Sequence, residues 1–209
     1  MQKLSSLLSG LYVIADAECI SKNEIISKTE EVLIAGVKIL QYRDKVNSQK
    51  DRYKIAEQLR RLTRDHACLL LINDDAQLAQ SIEADGVHLG KDDISIEQAR
   101  ELLGSDKIIG ASCYALFENA KAAISASADY IAFGSFYSSA TKPYAPKAKI
   151  TLLTKAKQQY KTPICAIGGI TPLNATNVLA AGADMIAVIS AVFNASSPKQ
   201  AVQEYLSLM

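Results

Sequence analysis

Short apolar runs alternate with longer amphipathic segments along the whole chain. Residues 11–15 form the first run, and their near-continuous apolar character is typical of a strand that is covered on both faces. Similar runs recur with turn residues between them, which predicts further strands. The predicted strands are residues 11–15, 37–41, 68–72, 85–89, 107–110, 130–133, 163–166 and 185–189.

The segments between these runs carry apolar residues at helical spacing. Ile25, Val32 and Leu33 show this pattern in a predicted helix that ends at Gly36, because glycine is the usual residue just past a helix end. The predicted helices are residues 23–35, 48–65, a brief one from 75, 95–103, 116–127, 150–159, one opened by Thr171-Pro172, and 198–208, with a short amphipathic helix at about 1–9.

Strands that alternate regularly with helices predict a parallel sheet. We expect an α/β fold, a single-domain (β/α)8 TIM barrel over residues 1–209, although this length is near the lower limit for eight units. A doubly wound open sheet is the alternative. The barrel is favoured because the strand count is eight and no G-x-G-x-x-G motif follows the first strand. The sequence contains no visible linker, second domain or internal repeat.

Composition excludes several classes of function. The chain has 209 residues, 49% of them hydrophobic and 22% charged, which is typical of a core-forming globular protein. A formal net charge of +1 and the absence of tryptophan argue against nucleic acid as a partner. No apolar run is long enough to span a membrane, and no signal peptide is evident. The four cysteines lack C-x-x-C spacing and are interpreted as reduced thiols, so a cytoplasmic location is expected.

A glycine pair after the seventh predicted strand indicates an anion site. Gly168 and Gly169 lack side chains, so a ligand can approach the backbone closely. Thr171-Pro172 then opens a helix, whose N-terminal N–H groups favour anions. The eighth strand likewise ends at Ile189 with Ser190 opening the next element. Barrels often bind phosphate after strands seven and eight, although the glycine pair could also form only a tight turn.

The second predicted strand ends in five polar residues. Strand alternation directs Gln41, Arg43 and Lys45 to one side and Tyr42 and Asp44 to the other. An amide, a guanidinium and an ammonium on one side suit a polar ring that carries a polyanion. The alternative is a solvated sheet edge.

Carboxylates follow the third and fourth predicted strands. Asp74 and Asp75 come after Asn73, and Asp92 and Asp93 come after Lys91. Carboxylates from neighbouring strand ends can share a cation, and Mg²⁺ prefers a few such ligands together with water and phosphate oxygens. Asp75 could instead cap the brief helix, and Asp92 could simply be exposed.

Three further candidates are weaker. His88 lies within an apolar strand, where a lone histidine is more often a hydrogen-bonded core residue than a catalyst. Ser112 is a small donor that suits a phosphate oxygen. The loop of residues 139–143 contributes two hydroxyls and the ammonium of Lys142. No G-x-S-x-G elbow or Ser/His/Asp order supports a nucleophile.

Taken together, these motifs resemble the thiamine phosphate synthase family, and the resemblance covers essentially the whole chain in order. It depends on Leu11-Tyr12-x-Ile14, Gln41-x-Arg43-x-Lys45, Asn73-Asp74, Gly86-Val87-His88-Leu89-Gly90 with Asp93, Gly110-x-Ser112, Ser139-x-Thr141-Lys142, Ile167-Gly168-Gly169-Ile170 and Val188-Ile189-Ser190. The resemblance implies a barrel that joins hydroxymethylpyrimidine pyrophosphate to thiazole phosphate. The products are thiamine monophosphate and pyrophosphate.

The resemblance also implies roles for individual residues. Asp74 and Asp93 would bind Mg²⁺, and Lys142, Arg43 and Ser112 would stabilise the leaving pyrophosphate. The substrate-binding residues would be Gln41, Tyr42, Arg43, Asp44, Lys45, Asn73, Ser112, Ser139, Ala140, Thr141, Lys142, Gly169, Ile189 and Ser190. Three positions depart from the family pattern: Ser139 and Ala15 each replace a threonine, and Lys91 stands where glutamine is frequent.

Two other functions remain open at this point. A thiazole tautomerase on the same barrel would need the phosphate turn and an acid/base residue, but not the two metal carboxylates with Gln41, Arg43 and Lys45. A non-catalytic phosphate-binding barrel would bind ligands without turnover. The expected partners are therefore small-molecule substrates, without nucleic acid or membrane, and a homo-oligomer is possible.

Overall fold

The structure is a computed structural model that describes residues 7–138 and 146–209. Its strands form a closed parallel barrel in sequence order, in which the first strand pairs with both the second and the eighth. This closure confirms the predicted (β/α)8 barrel and excludes the open sheet. The strands are β1 (Gly10–Asp16), β2 (Ile39–Arg43), β3 (Leu69–Asn73), β4 (Gly86–Leu89), β5 (Ile108–Tyr114), β6 (Tyr130–Phe133), β7 (Ile164–Ile167) and β8 (Met185–Val188).

The helices surround this barrel. Six residues of the predicted N-terminal helix lie outside the described part of the chain. Within that part, none of the helices has the length and apolar character needed to cross a bilayer. The helices are α1 (Ile25–Ile34), α2 (Gln49–Asp65), α3 (Ala76–Ser81), α4 (Ile96–Leu103), α5 (Phe117–Ser125), α6 (Thr151–Gln159), α7 (Pro172–Ala180), α8 (Ser190–Phe193) and α9 (Pro198–Leu206).

Strand alternation divides the core into two layers. Tyr12 and Ile14 point into the barrel, and Leu11 and Val13 pack outward against the helices. Because both faces of each strand are buried, the strands appear in the sequence as nearly continuous apolar runs. Cys68, Cys113 and Cys165 are buried thiols, as expected, and burial raises the pKa of each.

The fifth strand is longer than predicted. It continues to Tyr114, because the residues beyond Gly110 still pair with β6, with a register shift between Ser112 and Tyr114. Ser112 therefore lies on the strand itself and not in the loop after it. A side chain held on a strand has a better-defined position than one on a loop.

An ion-pair arrangement recurs at the amino end of the barrel, although no repeat was evident in the sequence. Asp85, Asp129 and Asp184 each follow an alanine and directly precede β4, β6 and β8. Each carboxylate accepts a backbone N–H from the preceding strand at 2.8–2.9 Å. Each also pairs with a cation from an outer helix, namely Arg60, Arg100 and Lys157. We refer to these three units as the aspartate clamps.

Candidate active site

A cavity of about 480 Å³ opens at the carboxyl end of the barrel strands, within the size range of small-molecule sites. Residues from strands on opposite sides of the barrel line this cavity. The residues predicted for the site that line this cavity are Gln41, Arg43, Asn73, Ser112, Gly169, Ile189 and Ser190.

The other predicted residues fall into three groups. Lys45, Asp74 and Asp93 lie together beside the cavity. Tyr42 and Asp44 point away from it, and Tyr42 is 2% exposed in the outer core with its hydroxyl donating to Asp44 at 2.5 Å. We leave both out of the substrate-binding residues proposed below. Ser139, Ala140, Thr141 and Lys142 lie outside the described residues.

Arg43 is held by two acids from the end of β1. Its Nη1 atom donates to both carboxylate oxygens of Asp16, at 2.8 and 2.7 Å, and to Glu18 at 3.0 Å. Burial lowers the pKa of the guanidinium, but the two acids outweigh this effect and raise it overall. Asp16 is fully buried. Arg43 is therefore fixed in place as a permanent cation at the cavity wall.

A chain of buried and half-buried polar side chains crosses the interior of the barrel along the wall of the cavity. Gln41 donates to Tyr12 at 2.7 Å, and the hydroxyls of Tyr12 and Tyr130 are 2.9 Å apart. His88 then bonds the Tyr130 hydroxyl through Nδ1 at 2.8 Å and Ser112 through Nε2 at 2.9 Å. We call these five residues the tyrosine relay. It agrees with the interpretation of His88 as a hydrogen-bonded core residue.

Sequence reasoning missed three residues of this site. Asp16 is a charged residue at the end of an apolar strand, and that position was the available signal. Tyr12 entered only as part of the family motif, and Tyr130 gave no signal, because a tyrosine in an apolar strand could equally face the helices. Gly110 makes room for the Tyr130 ring, since a Cβ there would lie 2.0 Å from the tyrosine Cζ.

Asp74 and Asp93 form a carboxyl pair next to Lys45. Burial raises the pKa of both, and a hydrogen bond between them lowers that of Asp74 and raises that of Asp93. Lys45 forms an ion pair with Asp74, whose pKa is lowered overall, and the Gly90 amide donates to Asp93 at 2.7 Å. Two neighbouring carboxyls, one of them with a raised pKa, are a donor set that a divalent cation satisfies.

The neighbouring acids have simpler positions. Asp75 caps α3 by accepting the Leu78 amide at 2.8 Å, and it pairs with Arg52. Asp92 is exposed. Within the described ranges, no group of three or more metal-binding side chains occurs. Two carboxylates suit Mg²⁺, which takes a few carboxylate ligands and keeps several water or phosphate ligands.

The glycine turn after β7 is built as the sequence predicts. Gly168 and Gly169 have φ values of +103° and +63° and border the cavity. The Gly168 carbonyl accepts the Tyr137 amide at 2.9 Å, and Asn174 donates to the Gly169 carbonyl at 3.1 Å. Because both carbonyls are engaged away from the cavity, the turn can offer its N–H side to an anion.

Gly168→Ala is expected to destabilise the protein by about 2–4 kcal/mol, since it combines a left-handed backbone with overpacking. The added Cβ would lie 2.0 Å from Ser135 Oγ and 2.7 Å from its Cα. Urea unfolding measures the change. Gly104→Ala is the matched control, because φ is +85° there but no atom lies within 4 Å. Equal losses in both variants would show that the packing around Gly168 is unimportant.

Comparison with known proteins agrees with this geometry. A family model described as thiamine monophosphate synthase matches residues 11–192. The chain belongs to this family. It is 45% identical over 202 residues to thiamine-phosphate synthase from Nitrosococcus oceani, covering 97% of this chain and 93% of that protein. The corresponding enzyme from Thiobacillus denitrificans is 45% identical over 195 residues, covering 93% and 92%.

A solved structure supports the same family assignment. Thiamine phosphate pyrophosphorylase from Pyrococcus furiosus superposes with a TM-score of 0.87 at 36% identity, covering 96% of this chain and 95% of that one. These comparisons confirm the family resemblance, the barrel and the thiamine phosphate synthase function expected from the sequence. As a member of this family, the protein is a transferase.

Proposed function

We propose that the protein joins 4-amino-2-methyl-5-hydroxymethylpyrimidine pyrophosphate to thiazole phosphate, forming thiamine monophosphate and pyrophosphate. The observation that carries this proposal is the placement of two different binding surfaces around one cavity. Gln41, Arg43 and Ser112 contribute polar and cationic groups, and the glycine turn after β7 borders the same cavity. A diphosphate ester and a second phosphate ester can therefore meet within one site.

The pyrimidine pyrophosphate would lie against β2, β3 and β5. Gln41 and Asn73 offer amides for the edge of the ring, and Arg43 offers a fixed cation for the pyrophosphate. Ser112 would donate to a phosphate oxygen. The thiazole phosphate would bind the amides of Gly169, Ile189 and Ser190, together with Ser139 and Thr141 by resemblance to the family.

Asp74 and Asp93 would bind Mg²⁺. When bound there, the ion would supply positive charge for the leaving pyrophosphate. Burial and the adjacent Asp74 carboxyl together raise the pKa of Asp93, and a bound cation would compete with the proton on Asp93. Metal binding should therefore weaken as the pH falls through the pKa of Asp93.

The reaction requires positioning and electrostatics but no general base. The carbon–oxygen bond of the pyrimidine ester breaks, and its electron pair leaves with the pyrophosphate. Arg43, Lys45 and Lys142 would stabilise the charge that develops on that group. The electron-rich aminopyrimidine tolerates the resulting cationic carbon, and the thiazole nitrogen then donates its lone pair to it. The cavity holds the two partners in contact and limits capture by water.

Lys142→Ala is expected to slow the chemical step by about 100-fold and to change thiazole phosphate affinity by less than about threefold. The reason is that the ammonium would act on the charge that develops as pyrophosphate leaves. Single-turnover rates and equilibrium binding separate the two effects. Lys147→Ala, at an exposed lysine after the same loop, is the control. A loss of affinity with an unchanged rate would contradict the leaving-group role.

The overall function is tested by measuring pyrophosphate with each substrate alone and with both, with and without Mg²⁺. A synthase releases pyrophosphate only when both substrates and the metal are present. A thiazole tautomerase would rearrange its thiazole substrate without pyrophosphate, and a phosphate-binding sensor would bind ligands without turnover. A cytoplasmic location and a homo-oligomer stay predictions.

A further inference from the structure

The tyrosine relay joins two parts of the proposed pyrimidine pyrophosphate site through the barrel interior. Its members come from β2, β1, β6, β4 and β5, in the order Gln41, Tyr12, Tyr130, His88 and Ser112. Each of the four links is 2.7–2.9 Å long. Gln41, Tyr12 and Tyr130 are no more than 3% exposed, and His88 is 9% exposed. Both ends of the relay, Gln41 and Ser112, line the cavity, as do Tyr12 and His88 between them, whereas Tyr130 is not part of the lining.

Each inner member of the relay has only one hydrogen that it can donate in a hydrogen bond within the relay. Burial raises the pKa of both tyrosines well above the ordinary value, so each keeps its proton. A phenol that accepts one hydrogen bond within the relay donates the next, and an imidazole that accepts at one ring nitrogen carries its proton on the other. The four hydrogen bonds therefore all point in the same direction along the relay.

The direction in the structure begins at Gln41, whose Nε2 donates to Tyr12. Tyr12 then donates to Tyr130, and Tyr130 donates to His88 Nδ1. His88 must carry its proton on Nε2 and donate it to Ser112. This order leaves the Gln41 carbonyl oxygen as an acceptor towards the cavity. It also leaves the Ser112 hydroxyl hydrogen available to a ligand.

The opposite direction would reverse both ends together. Gln41 would turn its amide, His88 would adopt the other tautomer, and Ser112 would donate inward. The cavity would then offer a donor at Gln41 and an acceptor at Ser112, which suits neither an amino group nor a phosphate oxygen. An aminopyrimidine bearing a pyrophosphate needs an acceptor at one end and a donor at the other. Both needs are met by the direction seen in the structure, in which Gln41 donates to Tyr12.

We propose that the tyrosine relay is a specificity device that couples recognition of the pyrimidine amino group at Gln41 to recognition of the pyrophosphate at Ser112. Tyr12, Tyr130 and His88 are its positioning residues, and they act through the two ends. An anion at Ser112 holds the relay in the direction that presents an acceptor at Gln41. The proposal depends on the proposed function, because that function places one substrate at both ends.

The test compares equilibrium binding of two pyrophosphates in the absence of thiazole phosphate. One is the 4-amino-pyrimidine substrate and the other is its 4-oxo counterpart, which presents no amino group to Gln41. The wild type should prefer the amino compound by about 100-fold, the discrimination typical of a site with one mispaired buried polar group. Cutting the relay with Tyr130→Phe should reduce this preference by about tenfold, because the Gln41 amide can then turn to suit the oxo compound.

Ser112→Ala tests the coupling between the two ends of the relay, Gln41 and Ser112. This change should also lower the preference several-fold, although Ser112 lies at the pyrophosphate end of the relay. In the Tyr130→Phe background, Ser112→Ala should leave the preference unchanged and weaken both compounds equally. A purely structural role for the tyrosines would lower stability without moving the preference. Tyr205→Phe is the matched control, because its buried hydroxyl bonds the Ile170 carbonyl outside the relay.

The proposal is overturned if Tyr130→Phe keeps the wild-type preference, or if Ser112→Ala weakens both compounds by the same factor in the intact relay. If Tyr130→Phe does not fold, Tyr12→Phe cuts the neighbouring link and carries the same expectations. Pyrophosphate release by the wild type with both substrates is measured separately. If the wild type releases pyrophosphate but the relay variants keep the wild-type preference for the amino compound, the proposed coupling is refuted and the proposed function is not.

Discussion

Asp93→Ala is expected to lower magnesium-dependent turnover by about 100- to 1,000-fold while the barrel stays folded. The reason is that the proposed metal site has only two protein carboxylates, so the loss of one leaves Asp74, which already pairs with Lys45. Asp93 is only half-buried and follows β4 in a loop, so its removal should cost little stability. Pyrophosphate release at a series of Mg²⁺ concentrations, together with thermal unfolding, measures both effects.

Asp92→Ala is the matched control for this prediction. It removes the same charge one residue away, at an exposed position. Its turnover and its dependence on Mg²⁺ should equal those of the wild type. Full activity of Asp93→Ala at low Mg²⁺ would reject the metal assignment. An equal loss in both variants would instead indicate a general effect of negative charge in the loop.

Arg43→Ala is expected to destabilise the protein by about 3–5 kcal/mol and to abolish turnover, because it leaves a buried charge without its partner. Asp16 is fully buried, and both of its carboxylate oxygens accept from Arg43 Nη1. The same change removes the fixed cation of the cavity wall. Urea unfolding and pyrophosphate release measure the two losses separately.

Two further variants separate stability from function at Arg43. Adding Asp16→Asn to Arg43→Ala removes the unpaired charge, so much of the stability should return while turnover stays absent. Arg61→Ala is the control, because its pair with Glu57 is exposed and should contribute less than about 1 kcal/mol. Wild-type stability in Arg43→Ala would show that Asp16 finds another partner. Recovery of turnover in the double variant would remove Arg43 from the mechanism.

The strands and the closed barrel could be predicted because both faces of each strand are buried. That burial produces short apolar runs which stand out from the amphipathic helices around them. The boundaries were less well determined. The end of β5 was placed at Gly110, but the backbone pairs with β6 as far as Tyr114. Pairing of that kind depends on a distant segment and leaves no local signal in residues 111–114.

The site could be predicted where polar residues interrupt the pattern at strand ends. Gln41, Arg43 and the glycine pair were found in this way, and alternation correctly turned Tyr42 away from them. The relay could not be found, because an apolar strand does not reveal which of its residues face the interior. Tyr12 and Tyr130 are 118 positions apart in the chain, and only the closure of the barrel brings their hydroxyls within 2.9 Å.

The aspartate clamps have a consequence for how this barrel tolerates change. Each clamp joins a strand, its neighbour and an outer helix at the end opposite the cavity. The contacts between neighbouring strands are therefore reinforced at the amino end of the barrel, away from the loops that would bind ligands. The loops at the carboxyl end can be exchanged or lengthened without weakening these strand contacts. The scaffold is therefore a favourable starting point for grafting new ligand-binding segments.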